Sequence, residues 1–230
     1  MGSLRISCAL WSLSAGPTEE KLIAALETAA RIGVKAVQPW CVDVEKWKLV
    51  CVLDPDRCVG KKRKEWATRI AGLGLSISGL CAQLTGPDEF GSFTGTDKLD
   101  ERIRKTQDSL RLGVDMGSPI VTTHIGPIPE KKDDPMYRHY LDAVKACARV
   151  GEECGGIFAL ETGQESAEAL KRFIEDVGSS AVKVNYDPAN MLKYGPAEGV
   201  GVLKSYIVHA HAKDKHPVTG KPTVGKGAVP

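Results

Sequence analysis

Residues 182–190 read Val182-Lys183-Val184-Asn185-Tyr186-Asp187-Pro188-Ala189-Asn190. Val182, Val184 and Tyr186 alternate with Lys183, Asn185 and Asp187, the period-two pattern of a strand with one buried face. Pro188 has no N–H to give to a sheet ladder, so the strand stops at Asp187 and leaves a carboxylate at its carboxyl end. Two other stretches end in the same way. Ile-Phe-Ala-Leu-Glu-Thr-Gly, residues 157–163, delivers Glu161, and Ile-Val-His-Ala-His, residues 207–211, delivers His211 ahead of a polar loop. Two carboxylates and an imidazole at three successive strand ends make an oxygen and nitrogen donor set of the kind divalent cations take.

Working outward, the chain alternates strand and helix patterns. Strands are expected at 4–10, 36–40, 75–82, 119–126, 157–161, 182–187 and 207–211. Helices are expected from Pro17 and Thr18 to Gly33, as a basic segment up to Leu73, from an Asp97 cap through Leu110, and over 136–154, 166–177 and 196–204. Long loops are expected over 41–60, containing Asp54-Pro55-Asp56, and over 85–95. Seven strands alternating with helices at a spacing of roughly 30 residues are repeated βα units with a parallel sheet. That leaves a barrel or a doubly wound sheet. No Gly-x-Gly-x-x-Gly follows the first strand, and polar residues at many strand ends converge over the mouth of a barrel, whereas a doubly wound sheet gathers them only around its switch point, which favours the barrel. The expected fold is therefore a single (β/α) barrel domain over residues 1–230, with seven βα strands and the C-terminal βα unit lacking.

Parity agrees. Ile157, Ala159 and Glu161 share one face of their strand, as do Ile207, His209 and His211, so with the more apolar opposite faces packed on helices the polar set points into the barrel. Composition bounds the rest. The 230 residues are 42% hydrophobic and 26% charged with a formal net charge of +2, ordinary for a globular domain and without the positive field of a nucleic-acid binder. Its one basic run, Lys61-Lys62-Arg63-Lys64, reads as a solvated helix start. Seven cysteines without Cys-x-x-Cys spacing indicate reduced thiols. With no long apolar run and no signal pattern, no membrane partner is expected and the location expected is cytoplasmic.

Several pieces together resemble one family: Ala-Leu-Glu-Thr-Gly-Gln-Glu at 159–165, Asn-Tyr-Asp-Pro-Ala-Asn at 185–190, His-Ala-His-Ala-Lys-Asp at 209–214, Gly-Lys-Gly-Ala-Val-Pro at 225–230, and Leu-Asp-Pro-Asp followed by a basic helix at 53–80. These are similar to the xylose isomerase-like TIM barrels of sugar isomerases and epimerases, a group that includes endonuclease IV-type enzymes. The resemblance implies that Glu161, Asp187 and His211 ligate a divalent cation (manganese, cobalt, magnesium or zinc), and that a small-molecule sugar is the substrate. It implies a Lewis-acid cation on a ketose carbonyl, with Glu161 removing the neighbouring proton as general base. His124, Asn190, Gln164, Glu165, Lys213, Asp214 and Trp11 are then the expected substrate-side residues, with Trp40 a second aromatic at a strand end and His209 a supporting group one layer below His211.

The family pattern continues with a further helix and an eighth strand bearing a fourth ligand glutamate, whereas the sequence in hand reaches Pro230. A shortened product, a strand supplied by a partner chain through open barrel edges in a homo-oligomer, and a fragment all stay open. Two alternative activities belong to the same fold: a dehydratase or isomerase acting on inosose-type ketoses, and a catalytically impaired carbohydrate-binding protein. A DNA-repair endonuclease is disfavoured, since that site resembles one with three metals and a histidine where Asn190 stands.

Overall fold

In a computed structural model of the chain, which describes residues 5–42, 51–84, 91–216, 218–221 and 224–229, every pair of neighbouring strands is parallel. The strands are β1 (Ser7–Ala9), β2 (Ala36–Gln38), β3 (Ser76–Ile77), β4 (Leu80–Cys81), β5 (Ile120–Thr123), β6 (Ile157–Glu161), β7 (Val182–Tyr186) and β8 (Ile207–Ala210). They alternate with α1 (Glu19–Arg31), α2 (Lys61–Gly72), α3 (Leu99–Asp115), α4 (Pro135–Cys154), α5 (Ala167–Val177) and α6 (Pro196–Leu203). The order β1-β2-β3 continues into β4-β5-β6-β7-β8, so the sheet curls round as an α/β barrel with helices outside, as the alternation predicted.

The expected third strand over 75–82 is broken. Its first half, β3, pairs with β2 and its second, β4, pairs with β5. Gly79 sits at the break, where a Cβ would lie 3.4 Å from Ile120, and glycine lets the chain bend toward a different neighbour. Trp40 bridges to Cys81, and Cys81 N–H donates to the Pro39 carbonyl, so the two sheets remain one curved surface. The first strand is shorter than 4–10. Leu10–Leu13, Trp11 included, form a 3-10 turn, and residues 1–4 lie outside the described part.

Helix starts follow local chemistry where side chains can cap them. The Thr18 hydroxyl accepts from Lys21 N–H at the start of α1, Asp134 caps α4 with Pro135 at its first position, and Ser166 caps α5, each filling an orphan donor of the first turn. Leu22, Ala25, Leu26 and Ala29 of α1 and Leu170, Phe173, Ile174 and Val177 of α5 form the buried stripes against the sheet. The Asp97 cap is not found. Lys98 is the N-cap residue, in a left-handed conformation at φ 48°. The cause lies one turn on, in Arg102, which is 7% exposed. Its guanidinium donates to the carbonyls of Ser92, Thr94, Gly95 and Asp97 at 2.6–3.2 Å. Residues 92–97 are thereby wrapped over the first turn of α3, and the Asp97 carbonyl is turned to Arg102.

The Asp54-Pro55-Asp56 turn docks on the same helix. Asp54, 1% exposed, lies 2.8 Å from Lys105 Nζ, and Asp56 pairs with Arg104 at 3.1 Å. Residues 43–50 of the first expected loop and 85–90 of the second fall outside the described part. None of the seven cysteines is joined in a disulfide among the described residues, and no helix among them is long and apolar enough to cross a membrane. Replacing Arg102 with Ala removes charge-assisted donors from four carbonyls. It should lower the unfolding free energy by about 3 kcal/mol in a urea titration, with Arg102→Lys recovering part of the loss.

Candidate active site

The three strand-end residues meet. Each of Glu161, Asp187 and His211 offers one ligand atom, and these atoms lie within 4.8 Å of one another. Glu161 closes β6. Asp187 follows β7 and is fully buried, its main-chain N–H donating to Thr162 Oγ1 at 2.9 Å so that the ends of the two strands are tied together. His211 follows β8, its main-chain N–H bonded to the Tyr186 carbonyl.

A register shift sets the aim of β8. Val184 pairs with Ile207 but Asn185 pairs with His209, so Val208 is the extra residue of a bulge. Bulges re-aim side chains beside functional sites. Here the bulge puts His209 opposite Asn185 on the inner face. His209 Nδ1 lies 2.8 Å from Asn185 Oδ1, and its ring meets that of His211 edge-on at 5.6 Å.

The donors around Glu161 converge on Oε1: His211 Nδ1 at 3.2 Å, His124 Nε2 at 3.3 Å and Asn190 Nδ2 at 3.4 Å. Burial works against charge on Glu161, but the hydrogen bonds from His124 and His211 prevail and hold its carboxyl well below the usual carboxylate range. For His211 burial likewise disfavours charge, and the Glu161 hydrogen bond with the fields of Glu161 and Asp187 outweighs it, raising the pKa. His209 is driven the other way, to about 4, by burial and then by its neighbour His211.

The other expected residues fall into three groups. Lys213 Nζ lies 3.0 Å from both Asp187 Oδ2 and Asn190 Oδ1, and Asn190 N–H donates to Asp187 Oδ1 at 3.1 Å, so both belong to the site together with His124. Trp11, 38% exposed, stands edge-on to His211 at 6.0 Å and to Trp40 at 5.9 Å, a partly open aromatic wall. Asp214 is occupied elsewhere. Its carboxylate accepts main-chain N–H groups from Lys215, Gly225, Gly227 and Val229 at 2.7–3.1 Å, which clamps the glycine-rich segment 225–229 to the strand end. A Cβ at Gly227 would overlap that carboxylate. Pro230 lies outside the described part.

Gln164 and Glu165 sit in the loop between β6 and α5. Gln164 Nε2 is buried without a hydrogen-bond partner among the described residues, and Glu165, 5% exposed, is met by the Ile128 N–H at 3.5 Å. Gly163 makes this loop possible. Its φ is +120°, and a Cβ there would overlap Asn190, so the β6 and β7 loops interlock only around glycine.

Two site residues escaped the sequence reading: Asn185, on the same strand face as Asp187, and Gln38, which ends β2 and contacts His211. Gln38-Pro39 repeats the polar-residue-then-proline ending of Asp187-Pro188, and that echo was the available signal.

Residues 26–229 match the family model described as Xylose isomerase-like TIM barrel. The chain belongs to this family. Among solved structures it is similar to a xylose isomerase domain protein from Planctomyces limnophilus, with 22% identity, 98% of this chain and 82% of that one covered, and a TM-score of 0.77. It is similar to an L-ribulose 3-epimerase at 19% identity, covering 95% and 74%, with a TM-score of 0.73. A Xylose isomerase-like TIM barrel protein from Mycobacterium smegmatis in complex with magnesium is matched at 18% identity, covering 98% and 82%, with a TM-score of 0.70. No curated protein matches in sequence. In this xylose isomerase-like barrel the donor set fits a divalent cation on its own chemistry: two buried carboxylates and an imidazole face one point, and like charges held that close require a positive partner.

Burial lifts the Glu165 carboxyl to about 8, against about 4.3 in an unfolded chain. The folded state therefore holds a proton that the unfolded state has lost, and stability falls as pH rises between those values. Glu165→Gln should flatten that dependence and gain on the order of 3–5 kcal/mol above about pH 8. Calorimetric unfolding of both proteins across the range reads this directly.

Proposed function

We propose that this barrel is a divalent-metal-dependent isomerase or epimerase of ketose sugars, working by proton abstraction beside a carbonyl. The observation that carries the reading is the convergence of Glu161, Asp187 and His211 at three strand ends, with ligand atoms within 4.8 Å of one another. The similarity to an L-ribulose 3-epimerase fold and to a magnesium complex of the same fold supports the substrate class and the cation.

Glu161, Asp187 and His211 would hold the cation. When bound, it supplies Lewis acidity toward a carbonyl and an adjacent hydroxyl, which acidifies the C–H between them. The chain's own groups do the rest. Glu161 is the general base: its Oε1 is fixed by His211, His124 and Asn190, its charge is retained at neutral pH by those donors, and its second oxygen takes the proton. A carboxylate held that low is a weak base, so the acidification of the C–H is what brings the transfer within reach.

Around it, His124 and Asn190 present donors to sugar hydroxyls. Lys213 places an ammonium between Asp187 and Asn190, suited to a developing oxyanion. Trp11 and Trp40 offer an apolar wall to a sugar face. Gln164 and Glu165 would act at the same mouth, the first with a buried amide N–H in need of an acceptor. Proton transfer between adjacent carbons needs the one base, while inversion at a single carbon needs a second group on the opposite face of the substrate.

Titration calorimetry with Mn2+ should show saturable binding that Glu161→Gln and Asp187→Asn abolish. With a panel of ketoses in deuterated water, the wild type should incorporate deuterium beside the carbonyl. Glu161→Gln should slow that exchange by about 10²–10⁴-fold. Exchange that survives the Glu161→Gln substitution would remove Glu161 from the role of base.

A further inference from the structure

We infer that Gln38 is a positioning residue that decides which ring nitrogen of His211 faces the two carboxylates. The inference rests on the reading of Glu161, Asp187 and His211 as a cation site, and it concerns a residue outside that set. Gln38 is 1% exposed and is held at both ends. Its Nε2 donates to Thr122 Oγ1 on β5 at 2.9 Å, and its Oε1 lies 3.0 Å from His211 Nε2. Thr122 is itself fully buried, so the amide is pinned from behind by a group that cannot move into solvent.

An amide oxygen only accepts, so the ring nitrogen facing it carries the proton. Nδ1 is then the atom turned into the site, 3.2 Å from Glu161 Oε1 and 3.9 Å from Asp187 Oδ2. A cation takes an unprotonated imidazole nitrogen, and fixing the proton on the far nitrogen presents one lone pair in one orientation.

The neighbours outside the carboxylate pair do not make that choice. Asn185 Nδ2 stands 3.4 Å from both ring nitrogens alike. Trp11 and His209 meet the ring edge-on at 6.0 and 5.6 Å, which limits its tilt without distinguishing one nitrogen from the other. Glu161 and Asp187 face Nδ1 as acceptors, on the side a cation would take; with a cation there, Gln38 is among the described residues the contact left to fix the proton on Nε2. The bond also crosses the barrel from β2 to the end of β8, linking residues 173 positions apart.

Two variants and two readouts test this. Gln38→Met keeps the bulk and removes the acceptor; Gln38→Glu keeps an acceptor. Mn2+ binding by calorimetry should weaken about 10–100-fold in Gln38→Met and stay at least as tight as wild type in Gln38→Glu. The second readout is imidazole ¹⁵N–¹H spectroscopy of the Mg2+-loaded protein, which has five histidines to assign. It should show a slowly exchanging, downfield Nε2–H of His211 in the wild type and in Gln38→Glu, and its loss in Gln38→Met.

A folded Gln38→Met protein with wild-type Mn2+ affinity and an unchanged Nε2–H signal would overturn the inference while leaving the cation site standing. Should Gln38→Met not fold, the wild-type spectrum still decides. A proton on Nδ1 with Nε2 toward the cation overturns the inference, and Nε2–H in slow exchange supports it. A wild-type protein that binds no Mn2+ at all would instead remove the reading beneath it.

Discussion

Two carboxylates held together away from water set the terms for the rest of this molecule. The side chain of Glu161 is 8% exposed and that of Asp187 fully buried. Each charge there requires a partner, because the desolvation cost of an unpaired buried ion exceeds what any single contact returns. The surrounding residues answer that demand in an orderly way. His124 and His211 face Glu161, Lys213 faces Asp187, and Asn190 reaches both carboxylates through its side chain and main chain. A donor set so balanced suits a cation that competes with those partners for the same oxygens. It also explains why the polar faces of β6, β7 and β8 point inward while Phe158, Leu160, Val182 and Val184 are buried in the hydrophobic core.

Departures from regular structure gather where the site needs them. The bulge at Val208 turns His209 toward Asn185, and the break at Gly79 lets one stretch serve two sheet neighbours. Gly163 opens the space that Asn190 fills, and Gly227 leaves room for the Asp214 carboxylate. A regular parallel sheet packs side chains in flat rows, so converging groups from several strands requires local changes of direction. Farther out, Arg102 and the Asp54–Lys105 pair hold two connecting segments to α3 and stabilise the outer layer.

Much of the site was readable because it is written in strand endings. A polar residue that closes an apolar alternation, followed by proline or glycine, marks Asp187 and Glu161, and strand parity places His211 beside them. Gln38 carries the same signature before Pro39, but a neutral amide in a three-residue strand does not announce chemistry until its partner is known. The Asp97 cap failed for a related reason. A local capping preference is worth about 1 kcal/mol, and the four carbonyl contacts of Arg102 exceed it.

By itself the sequence determined the alternation of strands and helices, the parallel sheet, and the three residues at its mouth, since these follow from periodicity, caps and proline positions that act within a few residues of one another. The tertiary structure decided what Asp214 and Glu165 do. Both are acidic residues beside the site, yet Asp214 binds main-chain N–H groups from a segment up to 15 residues away, and Glu165 lies in an apolar setting where its proton is retained. It also decided that Gln38 reaches His211. Hydrogen bonds and desolvation depend on which groups meet in space, and curvature of the sheet brings together residues that no local pattern connects.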